Sequence, residues 1–129
     1  KEIAEKRGIE FSVSIEDLWN QYINQNERCV YTNIKLILSS TNNISSNGSA
    51  NRTPLNASLD RIDSDKGYIP GNVQWVFKPI NIMKGSLSHV DFIRICKLIY
   101  DNNKNESFND IDFNSTHFSK MKMNFQSNL

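Results

Sequence analysis

The sequence predicts one α+β domain made of an N-terminal helix, a small β-hairpin, a strand–strand–helix unit and a C-terminal helix. Two segments, 15–25 and 88–100, carry apolar residues at helical spacing. Two others, 57–62 and 73–77, are short β-prone runs separated by a turn-rich stretch. The 129 residues suit one domain, and the 38% hydrophobic content allows a modest core.

The first helix is predicted over about residues 15–25, within an N-terminal helical segment that spans residues 1–27. Ser14 stands where an N-cap is expected, and Asp17 follows three residues later as in a capping box. An apolar stripe at helical spacing is expected to face the core. It consists of Ile15, Leu18, Trp19, Tyr22 and Ile23.

Residues 28–38 predict a small hairpin, because the β-prone runs 29–31 and 34–38 are separated by the turn residues Thr32 and Asn33. The following segment, 39–56, is rich in Ser and Asn. Such a composition buries too little apolar surface to order itself, so we expect a flexible insertion.

The strand–strand–helix unit begins with a strand over 57–62 and a long turn over 63–71, which contains two glycines and a proline. The second strand, 73–77, is expected to alternate between its two faces. Pro79 suits the first turn of a helix, and we expect that helix to run to Lys84 and to stop at Gly85.

The last helix is predicted to begin at Ser88, with Asp91 as its capping partner. The residues expected to line its apolar face are Phe92, Ile93, Cys96, Ile99 and Tyr100. The remaining residues, 101–129, predict a polar, Asn-rich tail. Its four phenylalanines are too widely spaced for a regular element.

Charge is distributed unevenly along the chain, although the net charge is only +1. Residues 1–27 hold three basic and six acidic side chains, residues 28–100 nine and four, and residues 101–129 three and four. The net charges of these regions are therefore −3, +5 and −1. A basic central module between acidic flanks favours an anionic partner for the middle of the chain.

Several protein classes are excluded or disfavoured. No apolar run approaches the ~20 residues of a membrane span, so we expect no membrane partner. The charged start, residues 1–7, does not have the composition of a signal peptide. Cys29 and Cys96 are too few for a four-thiolate zinc site or a secreted disulfide framework. We expect reduced thiols, no structural zinc and an intracellular location.

The polar residues of the strand–strand–helix unit stand at its joints. Asp60 ends the first strand, and Asn81 lies one turn into the helix, with Lys84 on the same helical face. A strand pair packed on a helix can bring the oxygens of Asp60 and Asn81 together, and such a pair suits Mg²⁺. Asn72, just before the second strand, can hold the long turn by hydrogen bonds.

Residues 28–100 resemble the HNH endonuclease family, whose core is the ββα-metal fold, and in particular a subgroup typical of phage and bacterial mobile elements. The resemblance rests on Arg28-Cys29-Val30-Tyr31-Thr32-Asn33 and on a long ordered string: Ala57-Ser58-Leu59-Asp60-Arg61-Ile62-Asp63, Lys66-Gly67-Tyr68, Gly71-Asn72-Val73-Gln74-Trp75-Val76 and Asn81-Ile82-Met83-Lys84-Gly85. It implies metal-dependent DNA cleavage with Mg²⁺ or Mn²⁺, Asp60 and Asn81 as metal ligands, and Asn72 as the loop-bracing residue.

The sequence departs from the family pattern at Arg61, which stands where a general-base histidine is usual. A guanidinium cannot accept a proton, but it can bind the scissile phosphate. Arginine is common here in the resembling subgroup. The predicted catalytic set is Arg61, Asn72 and Tyr31. The proton acceptor stays open between a side chain and the solvent or phosphate, to which a metal-bound water would give its proton. The side chains considered are Tyr31, Tyr68, His89 and His117.

The resemblance implies DNA as partner, with phosphate contacts from Arg61, Lys84, Lys78 and Arg52.

Two other hypotheses remain, a DNA-binding module that has lost catalysis and a purely structural protein. Cutting both strands requires a homodimer or two successive nicks. The missing initiator methionine leads us to expect a processed or trimmed fragment, and since the sequence has no recognizable recognition helix or zinc finger, a piece of a larger nuclease is one expectation. We expect the protein to be located in the cytoplasm of a bacterium or of a phage-infected host. Asp60→Ala is expected to abolish cleavage without unfolding the domain.

Overall fold

Helices and short antiparallel strands together make up the structure, a computed structural model that describes residues 7–38, 42–44, 50–52, 55–107 and 110–112. For 42–44 and 50–52 it describes the backbone only. The α+β class is confirmed. In chain order the elements are α1 (Ile15–Asn24), β1 (Asn42–Ile44), β2 (Ala50–Arg52), β3 (Ala57–Arg61), β4 (Val73–Phe77), α2 (Lys78–Lys84) and α3 (His89–Asn102).

Helix α1 begins with the predicted capping box. The Ser14 hydroxyl accepts from the backbone N–H of Asp17 at 3.0 Å, and the Asp17 carboxylate accepts from the Ser14 N–H at 3.0 Å. The predicted core-facing stripe is mostly wrong, because Tyr22 alone in it is buried and Ile15 is 87% exposed. A two-stranded sheet offers α1 too narrow a surface to cover a whole helical face.

The segment after α1 is a hairpin-like turn rather than two strands. One antiparallel bridge pairs Arg28 with Lys35. Within it, the Cys29 N–H donates to Ile34 O at 2.8 Å, and the Asn33 N–H donates to Cys29 O at 2.9 Å. Asn33 has φ 62°, a left-handed conformation that asparagine tolerates at the turn. The predicted reversal is therefore present, with shorter pairing than expected.

The predicted flexible insertion, 39–56, contains the antiparallel strands β1 and β2, which pair Asn42 with Arg52 and Ile44 with Ala50. Its composition did not predict these strands. At its end, Asn56 is held in place: its amide oxygen accepts from the Ile37 N–H at 2.7 Å, and its amide nitrogen donates to Lys35 O at 3.1 Å.

Strands β3 and β4 pair antiparallel, with Leu59 opposite Trp75 and Asp60 opposite Gln74. Helix α2 follows β4 directly and ends at Gly85, whose φ of 56° suits glycine. The expected alternation of β4 is wrong, since four of its five residues are buried. Both α1 and α2 contact β4, which leaves little of the strand facing solvent.

The core lies between α1, the hairpin-like turn and β4. Its buried members are Tyr22, Cys29, Leu36, Val76 and Phe77. Tyr22 also donates its hydroxyl proton to Leu36 O at 3.0 Å, so its polar end is satisfied inside the core. Within the described part of the chain, none of the helices combines the length and the apolar character needed to cross a membrane.

Helix α3 begins with the predicted cap, in which the Ser88 hydroxyl accepts from the Asp91 N–H at 3.1 Å. Of the apolar face predicted for this helix, Phe92 is buried. The prediction is wrong for the other four residues, which are exposed: Ile93, Cys96, Ile99 and Tyr100. The helix contacts the rest of the domain at its first turn and extends beyond it. Of the predicted tail, 108–109 and 113–129 lie outside the described residues, and so do its phenylalanines and His117.

Candidate functional site at the joint of β3 and α2

Asp60 lies at the centre of a buried polar cluster. Its position in β3, opposite Gln74, turns the carboxylate toward helix α2, and only 3% of the residue is exposed. The Lys84 ammonium lies 2.9 Å from one carboxylate oxygen, Oδ1. Gln74 donates from Nε2 to the other oxygen, Oδ2, at 2.8 Å. Both oxygens of Asp60 are therefore bound by protein donors.

Lys84 is the most buried charged residue in the described chain, with 1% of its surface exposed. Besides the ion pair with Asp60, its Nζ donates to the backbone oxygen of Arg61 at 2.8 Å. The sequence predicted a phosphate contact for Lys84, but the structure gives this ammonium an internal partner. The reason is that α2 packs on β3, so the last turn of the helix faces the end of the strand.

Asn81 contacts the same strand, three residues before Lys84 on the same helical face. Its Nδ2 donates to the Ser58 hydroxyl at 2.7 Å and to Leu59 O at 3.3 Å. Alternate residues of a strand share a face, so Ser58 and Asp60 lie side by side. The two predicted metal ligands, Asp60 and Asn81, are thus brought to neighbouring positions along β3.

A chain of hydrogen bonds leads from Asp60 to helix α3. Gln74 uses its Nε2 twice, to Asp60 and to the Tyr31 hydroxyl oxygen at 3.1 Å. That hydroxyl lies 2.8 Å from Nδ1 of His89. The Tyr31 ring also contacts Phe92 edge-on, with ring centroids 5.2 Å apart. Residues from β3, β4, the hairpin-like turn and α3 therefore form one network.

The surroundings of Tyr31 keep its phenol protonated. Burial, and next the negative charge of Asp60, raise the pKa of Tyr31 to about 12. This direction opposes the role of proton acceptor that the sequence left open for Tyr31. The protonated hydroxyl accepts from Gln74 and can donate to His89 Nδ1 when that nitrogen carries no proton.

The loop between β3 and β4 is held by Asn72 and Arg61. The buried Asn72 amide accepts from the Asp63 N–H at 2.9 Å and donates to Asp63 O at 3.1 Å and Gly67 O at 2.8 Å. Arg61 donates from Nη1 to Ser64 O at 2.9 Å and Lys66 O at 3.0 Å. These bonds give both side chains a shape-holding role in the loop.

The guanidinium of Arg61 also lies over the Tyr68 ring, with Cζ 5.4 Å from the ring centroid. Of the other predicted DNA contacts, Lys78 begins α2, at the opposite end of the helix from Lys84. Arg52 lies in β2, where the structure describes only the backbone. The structure therefore brings Asp60, Asn81 and Lys84 together, engages Arg61 in the neighbouring loop and puts Lys78 at the far end of α2.

Sequence reasoning missed Gln74 as a member of the site. The sequence shows only a glutamine between the apolar residues Val73 and Trp75; that β4 is covered on both faces, so that Gln74 must find polar partners, came from the structure. The partners themselves, Asp60 and Tyr31, follow only from the strand register and from the packing of the hairpin-like turn.

The oxygen atoms of Asp60 and Asn81 are of the chemical kind that binds a divalent cation. The arrangement of side chains around them is not that of a metal site. A carboxylate and a side-chain amide oxygen are hard ligands of the kind that Mg²⁺ binds. In residues 7–38, 55–107 and 110–112, however, no three His, Cys, Asp or Glu side chains cluster closely enough to hold a metal ion. Asp60 is also neutralised by Lys84. Because both Asp60 oxygens are bound by protein donors, this carboxylate is open to a metal ion only if that ammonium moves.

Comparison with known proteins adds no relative. The chain matches no model of a protein family, and neither the curated proteins nor the solved structures include a similar one. The HNH resemblance therefore rests on the residues and motifs quoted above. The contacts around Asp60 are an independent set of observations, since they depend on the fold and not on the family pattern.

Proposed function

We propose that this protein is a metal-dependent endonuclease that hydrolyses phosphodiester bonds in DNA inside the cell. The observation that carries the proposal is the burial of Asp60 at the joint of β3 and α2. Burial of an ionised carboxylate costs several kcal/mol, and packing in a small core offsets little of this cost. A carboxylate buried in such a domain therefore indicates a role other than packing. The residues that form this buried pair, Asp60 and Lys84, are both ones that the HNH resemblance assigns to the site.

The order of the elements supports the same proposal. Strand β3, a long loop, strand β4 and helix α2 follow one another, and α2 packs back onto β3. Asn81 of α2 therefore contacts β3, the strand that contains Asp60, and this neighbourhood supports the proposal. The basic excess of residues 28–100 adds affinity for the DNA backbone that should weaken as salt increases.

In this proposal Asp60 and Asn81 would hold the divalent cation, which supplies Lewis acidity and lowers the pKa of bound water. Arg61 would bind the scissile phosphate with donors other than Nη1, because Nη1 is engaged in the loop. Tyr31, kept protonated, orients His89. When His89 accepts a hydrogen bond from that hydroxyl at Nδ1, its Nε2–H would be the donor offered to a phosphate oxygen.

The alternative is a DNA-binding module without catalysis on the same scaffold. Two observations favour it, the ion pair that occupies the Asp60 carboxylate and the arginine at position 61. Such a module would bind DNA in a salt-dependent way and would not respond to divalent metal ions. In the nuclease proposal, cuts in both strands come from a homodimer or from two successive nicks.

Cleavage of supercoiled plasmid tests the proposal, with Mg²⁺, Mn²⁺ or EDTA added to the full chain. We expect metal-dependent nicking by the wild type and by Asp65→Asn, a control that changes an exposed loop carboxylate. Nicking should be lost in Asp60→Asn and in Asp60→Asn/Lys84→Met, a double variant that leaves no unpaired buried charge. Salt-sensitive DNA binding without cleavage in any metal would establish the alternative. Metal-dependent cleavage that persists in both Asp60 variants would contradict the assigned site.

A further inference from the structure

We propose that Lys84 is the resident cation of Asp60 and that a divalent metal ion binds this carboxylate only by displacing the lysine ammonium. The inference rests on the proposed function, since it concerns how the same site is loaded. It makes Lys84 a positioning residue that controls access to Asp60, a role different from the phosphate contact predicted from the sequence.

The contacts of the ammonium resemble those of a hard cation. Its Nζ lies 2.9 Å from a carboxylate oxygen of Asp60 and 2.8 Å from the backbone oxygen of Arg61. Carboxylate and carbonyl oxygens are the ligands that Mg²⁺ and Ca²⁺ take in proteins. Lys84 is 1% exposed, so the ammonium itself fills this oxygen-lined position. A metal ion and the ammonium cannot both occupy it.

Charge balance leads to the same conclusion. Asp60 and Lys84 neutralise each other in a buried space, and the described residues add no cluster of acidic or histidine ligands around them. A divalent ion added to the intact pair would leave two uncompensated positive charges at low dielectric, which is unfavourable. If the Lys84 ammonium leaves the site, the charges of the divalent ion, the Asp60 carboxylate and one DNA phosphate sum to zero. Exchange of cations is therefore easiest when substrate is bound.

The position of Lys84 in the fold allows this exchange. It is the last residue of α2, and the chain turns away at Gly85 immediately afterwards. A lysine ammonium sits on a flexible four-carbon stem, so it can move by changing rotamers while β3 and its pairing with β4 stay in place. Once outside, the ammonium becomes available to the DNA backbone.

Binding of Mn²⁺ alone to the full chain, in the absence of DNA, measures the competition directly. The concentration of free Mn²⁺ is followed by its electron paramagnetic resonance signal. The proteins compared are wild type, Lys84→Gln, Asp60→Asn/Lys84→Gln and Lys66→Gln. Lys66 is a matched control, because it is an exposed lysine whose carboxylate partner, Asp63, lies in the loop. Lys84→Gln retains a neutral hydrogen-bond donor for Asp60 while removing the competing charge.

We expect Lys84→Gln to bind Mn²⁺ about tenfold more tightly than wild type or Lys66→Gln, because the buried competitor is gone. The gain should disappear in Asp60→Asn/Lys84→Gln. Equal, Asp60-dependent Mn²⁺ affinity in wild type and Lys84→Gln would overturn the proposed competition and leave the nuclease proposal standing. Absence of Asp60-dependent binding in folded Lys84→Gln would overturn both proposals.

Folding of the variant is monitored by circular dichroism with and without Mn²⁺. A Lys84→Gln protein that is unfolded alone and folds when Mn²⁺ is added would support the inference, because the metal ion then replaces the missing cation. A variant that stays unfolded at every Mn²⁺ concentration would show that the ammonium is irreplaceable, and would overturn the inference.

Discussion

The hydroxyl of Tyr31 lies 2.8 Å from Nδ1 of His89, so the hairpin-like turn is hydrogen-bonded to the first turn of helix α3. Phe92, one helical turn further on, packs edge-on against the same tyrosine ring. Tyr31 therefore attaches α3 to the body of the domain and, through Gln74, links it to Asp60. A change at this tyrosine is expected to affect both the helix and the candidate site.

Alkaline pH should destabilise the protein through Tyr31. Its pKa is raised to about 12 in the folded protein, above the unfolded value of ~10, so folding favours the protonated phenol. This contribution to the free energy of unfolding is complete below pH ~10 and is lost as pH rises toward about 12. Urea unfolding across this range should show a smaller decline in Tyr31→Phe than in wild type.

The exposed Tyr100→Phe is the control for that titration, and it should follow the wild-type decline. Tyr22 shares the direction of the shift, because burial raises its pKa as well, so part of the decline should remain in Tyr31→Phe. The same pH dependence in Tyr31→Phe and wild type would contradict the prediction.

Asp60→Asn should destabilise the domain by about 3–5 kcal/mol, because it leaves the buried Lys84 ammonium without a counter-charge. The sequence alone led us to expect that replacing Asp60 would leave the fold intact; the 3% exposure of this carboxylate overturns that reasoning. Urea unfolding followed by circular dichroism measures the loss. Asp60→Asn/Lys84→Met should recover most of it, and a double variant no more stable than the single one would argue against an uncompensated charge.

Asn72→Ala should loosen the loop that joins β3 and β4. The buried amide makes three hydrogen bonds to Asp63 and Gly67, so we expect a loss of about 1–3 kcal/mol in the free energy of unfolding. Hydrogen exchange should accelerate over residues 63–71. Asn103→Ala, which removes one exposed bond to Ile99 O, should leave the exchange of that loop unchanged. Unaltered protection of the loop in Asn72→Ala would refute its bracing role.

Gln25→Ala should weaken the junction of α1 and β4. The Gln25 amide accepts from the Trp75 N–H at 2.8 Å and donates to Trp75 O at 2.8 Å, in the manner of a neighbouring strand. The substitution also removes the Gln25 bonds to Gln21 and to Arg28 O, and together these losses should cost about 1–3 kcal/mol, measured by urea unfolding with tryptophan fluorescence. Asn20→Ala, at an exposed position of α1, is the control. Equal stability of the two variants would count against this contact.

Local signals were sufficient for the ends of the helices. Ser14 with Asp17 and Ser88 with Asp91 mark the starts of α1 and α3, and Gly85 marks the end of α2. These signals work because a cap is decided by residues within one turn of each other. The same locality explains why the reversal at Asn33 was predicted, whereas the extent of strand pairing around it was not.

The spacing of apolar residues correctly predicted the helices α1 and α3. The prediction that these apolar faces are buried was mostly wrong. Ile15 and Ile99 lie on these stripes, and both are exposed. A helical period shows which side chains share a face, but burial of that face requires a surface of matching size. The described part of this chain provides two sheets of two strands each, and these cover only short stretches of either helix.

The sequence by itself determined the α+β class and the strand–strand–helix order, because each depends on composition or on short-range spacing. Only the tertiary structure decided that Lys84 pairs with Asp60 and that Gln74 joins them to Tyr31. These partners are separated by many residues along the chain. They meet because β3 and β4 pair in one register and α2 packs on β3, and a buried charge then takes the partner that packing brings within reach.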